Sequence, residues 1–126
     1  MSFSILIVDD SEIIREVLER TLNMTKVSFA NIFKASDGAQ ALSILKDQWV
    51  DLVFTDIHMP NVGGIELIQR MHASAELKDI PVVVISTEGS ATRIDQLKSL
   101  DIKGYLRKPF TPESIRDILN TTLGIA

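Results

Sequence analysis

Two adjacent carboxylates, Asp9-Asp10, follow the apolar run SILIV, and a third, Asp56, follows VFT. Ser86 and Thr87 follow IPVVVI, and Lys108 stands before Pro109, just past IKGYL. Each polar group lies immediately beyond a run of strand-forming residues. Three carboxylates brought together raise one another's pKa and cost stability unless their charge is offset. A hard divalent cation such as Mg²⁺ offsets it, taking oxygen ligands in an octahedron and keeping several waters. Asp10 and Asp56 would each supply one oxygen and the backbone carbonyl of His58 a third, with Asp9 ligating less directly or holding a metal-bound water. An aspartate is also a competent nucleophile toward phosphorus. A metal and a lysine then balance charge on the transferring oxygens. In that chemistry Asp56 is the nucleophile, Lys108 the cationic clamp and Ser86 a hydroxyl donor to a phosphate oxygen. Asp56 is preferred because it is a single acid after an interior run, whereas the adjacent pair suits coordination. Alone, each residue has a plainer role: an aspartate after a strand forms a turn or caps a helix, and a lone lysine or serine is ordinary surface. Their joint appearance at four strand ends makes them a candidate site.

The elements that must position them follow from the apolar spacing. Ser4–Val8 lacks polar alternation, as a strand covered on both faces does. Ser11 caps a helix whose Ile14, Val17, Leu18 and Leu22 share a side. Ile32–Ala35 is a weaker strand that Phe29 extends backwards. Asp37, three residues before Gln40, suggests a capping box for a helix packed through Ala41, Leu42 and Leu45. Trp49 reads as a packing residue ahead of the third strand, Val50–Thr55. The loop HMPNVGG follows, with Gly63-Gly64 expected to supply dihedral freedom. A short helix from about Ile65 to Met71 turns Ile68 and Met71 inward and leaves His72 at the surface or boundary. Ile80–Ile85 is the fourth strand, Ser90 caps a helix with Ile94 and Leu97 inward, and Ile102–Leu106 is the fifth strand. Thr111-Pro112 opens a last helix with the stripe Ile115, Ile118, Leu119 and Leu123. Five βα units imply a doubly wound parallel sheet with helices on both faces. Such a sheet binds ligands beyond the carboxyl ends of its strands, which is where the acids, the serine and the lysine fall.

The totals restrict the functions that fit. The chain has 126 residues, the size of one domain, expected to be a single unit over 1–126 without an output domain. With 45% hydrophobic residues it has enough to build a core. It has no cysteine, hence no disulfide or thiolate metal site. No basic leader or long apolar run is present, so a cytoplasmic protein without membrane insertion is expected. The net charge of −4, without a lysine or arginine run, argues against direct nucleic-acid binding.

Four stretches, ILIVDDS (Ile5–Ser11), DLVFTDIHMPNVGG (Asp51–Gly64), VVVISTE (Val82–Glu88) and GYLRKPF (Gly104–Phe110), together resemble the response-regulator receiver family of bacterial two-component signalling, in its stand-alone chemotaxis type. The resemblance implies a flavodoxin-like (βα)5 fold with strand order 2-1-3-4-5. It implies that Asp9, Asp10 and Asp56 form an acidic pocket, and that Asp56 takes a phosphoryl group from a histidine kinase with Mg²⁺ as cofactor. It further implies Ser86 as the hydroxyl switch, Tyr105 as the aromatic switch, Lys108 as the phosphoryl-stabilising cation, and a cis peptide between Lys108 and Pro109. His58 and Glu88 fall at positions that influence phosphoryl hydrolysis. The implied output is a changed affinity of the helix 4, strand 5 and helix 5 face for a protein partner such as a motor, kinase or relay component. The chain itself is expected to be a monomer that catalyses only its own phosphorylation and dephosphorylation.

Two other readings fit parts of the pattern. A phosphorylation-independent interaction module would share the fold without using the pocket. A small phosphohydrolase with an aspartyl nucleophile places that nucleophile after the first strand in a DxD arrangement, whereas the first strand here ends in DDS. No GxGxxG or GxxxxGK[ST] motif supports nucleotide binding.

Overall fold

In a computed structural model, which describes residues 2–87 and 91–124 apart from the side chains of 91–94, the first apolar run forms β1 (Phe3–Val8). The chain continues through α1 (Glu12–Met24), β2 (Phe29–Ala35), α2 (Gly38–Asp47), β3 (Leu52–Thr55), α3 (Gly64–His72), β4 (Val82–Ser86), α4 (Ala91–Lys98), β5 (Gly104–Arg107) and α5 (Pro112–Leu123). All strand pairs are parallel, in the order β2-β1-β3-β4-β5.

The absence of alternation in β1 has a direct cause. Ile5 and Ile7 face a layer with Leu18 and Leu22 of α1 and Ile115 and Leu119 of α5. Leu6 and Val8 face the opposite layer, built from Ala41 and Leu45 of α2, Leu67, Ile68 and Met71 of α3, and Leu97 of α4. Successive strand side chains point to opposite faces, and both faces are covered. The caps agree with the local chemistry: Ser11 accepts the Ile14 N–H, Asp37 accepts the Gln40 N–H, and Thr111 and Ser114 bond reciprocally around Pro112. The box at α2 is displaced, however. Gln40 accepts the backbone N–H of Ser36 rather than that of Asp37.

Several expectations are corrected. Val17 is 38% exposed, and α1 buries Leu18, Thr21 and Leu22 instead. Trp49 is 79% exposed and not a packing residue; Val50, at 2%, fills that place. β3 begins two residues later than Val50. β4 begins at Val82, since Pro81 has no N–H to donate and only its carbonyl accepts, from Val53. β5 begins at Gly104, after a turn in which Asp101 takes a φ of 59°. β2 does reach back to Phe29, in agreement with the expectation, but the pairing shifts between Phe3 and Ser4 so that Ala30 is skipped, a bulge that obscures its periodicity. Gly63 and Gly64 do not use positive φ; among the described residues only Gly124 does so as a glycine. Ser90 and Glu88 lie outside the described residues, as does the side chain of Ile94. No helix among the described residues is long and apolar enough to cross a membrane.

Candidate functional site

The carboxyl edge of the sheet brings together Asp9 and Asp10 after β1, Asp56 after β3, Ser86 at the end of β4 and Lys108 after β5. Backbone pairing sets their height. The Asp9 N–H donates to Ala35 O at 3.1 Å, the Asp56 N–H to Val8 O at 2.9 Å, and the Lys108 N–H to Ser86 O at 2.9 Å. The sheet ladder is thus extended by one residue into the site from three strands.

Lys108 joins the acids. Its Nζ donates to Asp9 Oδ2 at 2.8 Å and to Asp56 Oδ2 at 3.3 Å. The lysine side chain is 14% exposed, Asp9 5% and Asp56 13%, so the pairs sit where solvent screens little. Burial pulls the Lys108 ammonium down, but the hydrogen bond to Asp9 and the charges of Asp56 and Asp9 outweigh it and hold the group above its ordinary value. Lys108 is therefore no free surface cation. The Lys108–Pro109 peptide is cis, as the resemblance implied.

The remaining oxygens have local donors. Asp9 Oδ1 accepts the Ser11 N–H at 2.9 Å, and Asp56 Oδ1 accepts the Ile57 N–H at 2.7 Å. Arg15 of α1 donates to the Asp9 carbonyl at 2.7 Å, tying the helix to the strand end. Asp10 is exposed and gives the cluster an open side. One carboxylate oxygen from each of Asp9, Asp10 and Asp56 lies within 4.8 Å of the others. This all-oxygen donor set suits a hard cation such as Mg²⁺ or Ca²⁺ and gives no foothold to soft metals. Ser86, the last residue of β4, is 1% exposed. His58, two residues after Asp56, is exposed, and Tyr105 is half-buried against the α2–α3–α4 layer.

The loop that carries His58 is held by contacts the sequence reading had not identified. Asn61 adopts φ 63°, a conformation that asparagine tolerates better than most residues. Its Nδ2 donates to Asp37 Oδ2 at 2.9 Å, and the Gly38 N–H donates to Val62 O at 2.8 Å. The N-terminus of α2 thereby latches the β3–α3 loop. Asp37 is buried, and the Gln40 backbone N–H, with help from the Asn61 amide, holds its carboxyl below the ordinary range. Gly64 contributes closeness rather than flexibility: a Cβ there would collide with the Asp56 carbonyl oxygen and with the Ile57 backbone. Asn61 between a proline and two glycines was the sequence signal for the turn, but nothing in it pointed to Asp37.

The family model described as the response regulator receiver domain matches residues 5–120. The chain is 35% identical over 119 residues to the chemotaxis protein CheY-3 of Vibrio cholerae, covering 94% of this chain and 90% of that one. It is 36% identical over 120 residues to the two-component response regulator ORR3 of Oryza sativa subsp. indica, covering 94% and 89%. Among solved structures, chemotaxis protein CheY4 of Vibrio cholerae superposes with a TM-score of 0.86 at 28% identity, covering 97% of this chain and 99% of that one.

Proposed function

This chain belongs to the response regulator receiver family, and from that premise we propose that it is a phosphoacceptor switch of a two-component pathway, with Asp56 as the acceptor. The observation that carries the reading is the buried bridge of Lys108 to both Asp9 and Asp56, inside a cluster of three carboxylates. One Asp56 oxygen attacks phosphorus, and an O–P bond forms as the P–N bond to a phosphohistidine breaks. The imidazole of the kinase leaves with the electron pair and is protonated by solvent. Lys108 stays within reach of the oxygens that gain charge, and the hydroxyl of Ser86 donates to one of them. Asp10, Asp56 and the His58 carbonyl would hold Mg²⁺, with Asp9 less directly engaged; when bound, the ion neutralises charge on the phosphoryl oxygens. His58 and Glu88 are proposed to tune hydrolysis.

A phosphoryl group adds a dianion whose contacts favour one of two states, and it shifts their balance by its differential affinity for them. The proposed readout is the α4, β5 and α5 face, through Ser86 at the end of β4 and Tyr105 on β5. The chain would act as a single domain, monomeric and cytoplasmic, turning over nothing beyond its own phosphoryl group. A protein partner such as a motor component, a kinase or a relay protein would receive the signal. A chemotaxis pathway is favoured by the Vibrio relative's name, while the plant relative carries the broader one.

Intact mass after incubation with acetyl phosphate tests the reading. A gain of one phosphoryl group is expected with Mg²⁺, lost with chelator and absent in Asp56→Asn. Lys108→Ala should slow labelling by about 10²-fold, the scale of one oxyanion-stabilising group. If neither acetyl phosphate nor a promiscuous histidine kinase labels the wild type, the interaction module without phosphorylation takes its place.

A further inference from the structure

A cleft of about 500 Å³ opens at the amino ends of β3 and β4, the sheet edge opposite Asp56. That volume is in the range of ligand sites, and nothing in the phosphoryl chemistry uses it. Trp49 stands on its wall at 79% exposure, with Leu77 and Pro81 as further apolar lining. A lone exposed apolar residue needs no explanation, but this indole is held in place. Its Nε1–H donates to Asp51 Oδ1 at 3.0 Å, while Asp51 Oδ2 accepts the Ser4 N–H of β1 at 2.8 Å. The indole N–H is thereby tied through Asp51 to β1 while the ring surface remains in water.

Its surroundings are acidic. Asp47, Glu76 and Asp79 line the same cleft, against Lys46 as the one cation in that lining. None of those three acids forms an ion pair among the described residues. An exposed, hydrogen-bonded aromatic face in a cleft with unpaired carboxylates is complementary to a guanidinium, which stacks on indole and takes carboxylates in a planar fork. We propose that this cleft docks a basic, partly apolar segment of a partner protein. An arginine of that segment lies on Trp49 within reach of Glu76 or Asp79, and a neighbouring apolar residue covers Leu77 and Pro81. Tryptophan and arginine are the residue types that most often dominate binding energy at interfaces. The surface gives the chain a contact separate from the α4, β5 and α5 face and from the phosphorylation site.

Trp49 is the chain's single tryptophan, so its emission reports on the cleft directly. The probe is a blocked hexapeptide alternating arginine and leucine, with a glutamate–leucine peptide as control. The expected result is a saturable emission change with the basic peptide alone. The double substitution Glu76→Gln and Asp79→Asn, both at exposed positions, should weaken its Kd by about tenfold or more. Absence of a saturable change overturns the proposal, as does equal affinity in the double variant. Spermidine binding as tightly as the peptide also overturns it, reducing the cleft to a counterion site.

Discussion

One oxygen of Asp37 caps α2 by accepting the Gln40 N–H, and the other accepts the Asn61 amide of the β3–α3 loop. Both bonds favour the ionised form, which is why the carboxyl is held below its ordinary value. A carboxyl depressed in the folded state contributes stability that is complete above its unfolded pKa, about 4, and that is lost as pH falls through the lower folded value. Asp37→Asn keeps a good capping residue and removes the charge. Urea midpoints should therefore differ between wild type and Asp37→Asn at pH 7 and converge on acidification below about pH 4; a gap that stays constant would show that the charge is not what matters. The cap was legible because its partner is three residues away. The Asn61 bond was not, because it spans 24 residues. The same limit applies to Lys108. Its type and place after a strand marked it as a site residue, but its shorter bond goes to Asp9 rather than to Asp56, a pairing that only the assembled sheet specifies.

The turn from β3 into α3 is where an element, rather than a side chain, sets the site. Gly64 opens α3 directly under the Asp56 carbonyl, and the atoms a Cβ would meet are backbone atoms, which cannot rotate away. Gly64→Ala should destabilise the protein by at least about 1–3 kcal/mol, the range for overpacking a filled space. Gly63→Ala, whose nearest neighbour stands at 3.1 Å, should cost less. Comparing urea midpoints of the two variants checks this, and equal losses would contradict it. The glycine pair was visible in the sequence, but conformational freedom and close approach leave the same letter. Strand bounds show a related limit. The apolar runs were found, yet Val50, Ile80 and Ile102 precede their strands, because packing against the core continues beyond the paired residues: Val50 is buried, and Ile80 and Ile102 are partly buried against it. On α1, Val17 satisfies the helical spacing but lies at the edge of the buried arc, which Thr21 occupies instead.

For the molecule as a whole, the two side-chain layers share one sheet, so a loss in either is felt by both. Phe54, 1% exposed, points into the α1 and α5 layer and is among the largest fully buried side chains. Phe54→Ala should lower unfolding free energy by about 3–5 kcal/mol, whereas truncating exposed Ile13 should change it by no more than about 0.5 kcal/mol. Denaturant titration by circular dichroism measures both, and similar effects would refute the layer assignment. The layered plan was the most legible feature, since strands lacking alternation must be covered twice. Trp49 was the least legible, because a large apolar residue ahead of a strand reads as packing, yet it stands 79% exposed with its Nε1–H on Asp51. The bridge between Lys108 and Asp9 joins residues 99 positions apart, nearly the first and last strands of the chain. During synthesis, Asp9 and Asp56 therefore wait without their cation until β5 has left the ribosome and docked. A truncated or half-folded chain carries the acids but not the cation that bridges Asp9 and Asp56. The charge balance of the carboxylate cluster is thus the last feature of the sheet edge to be completed.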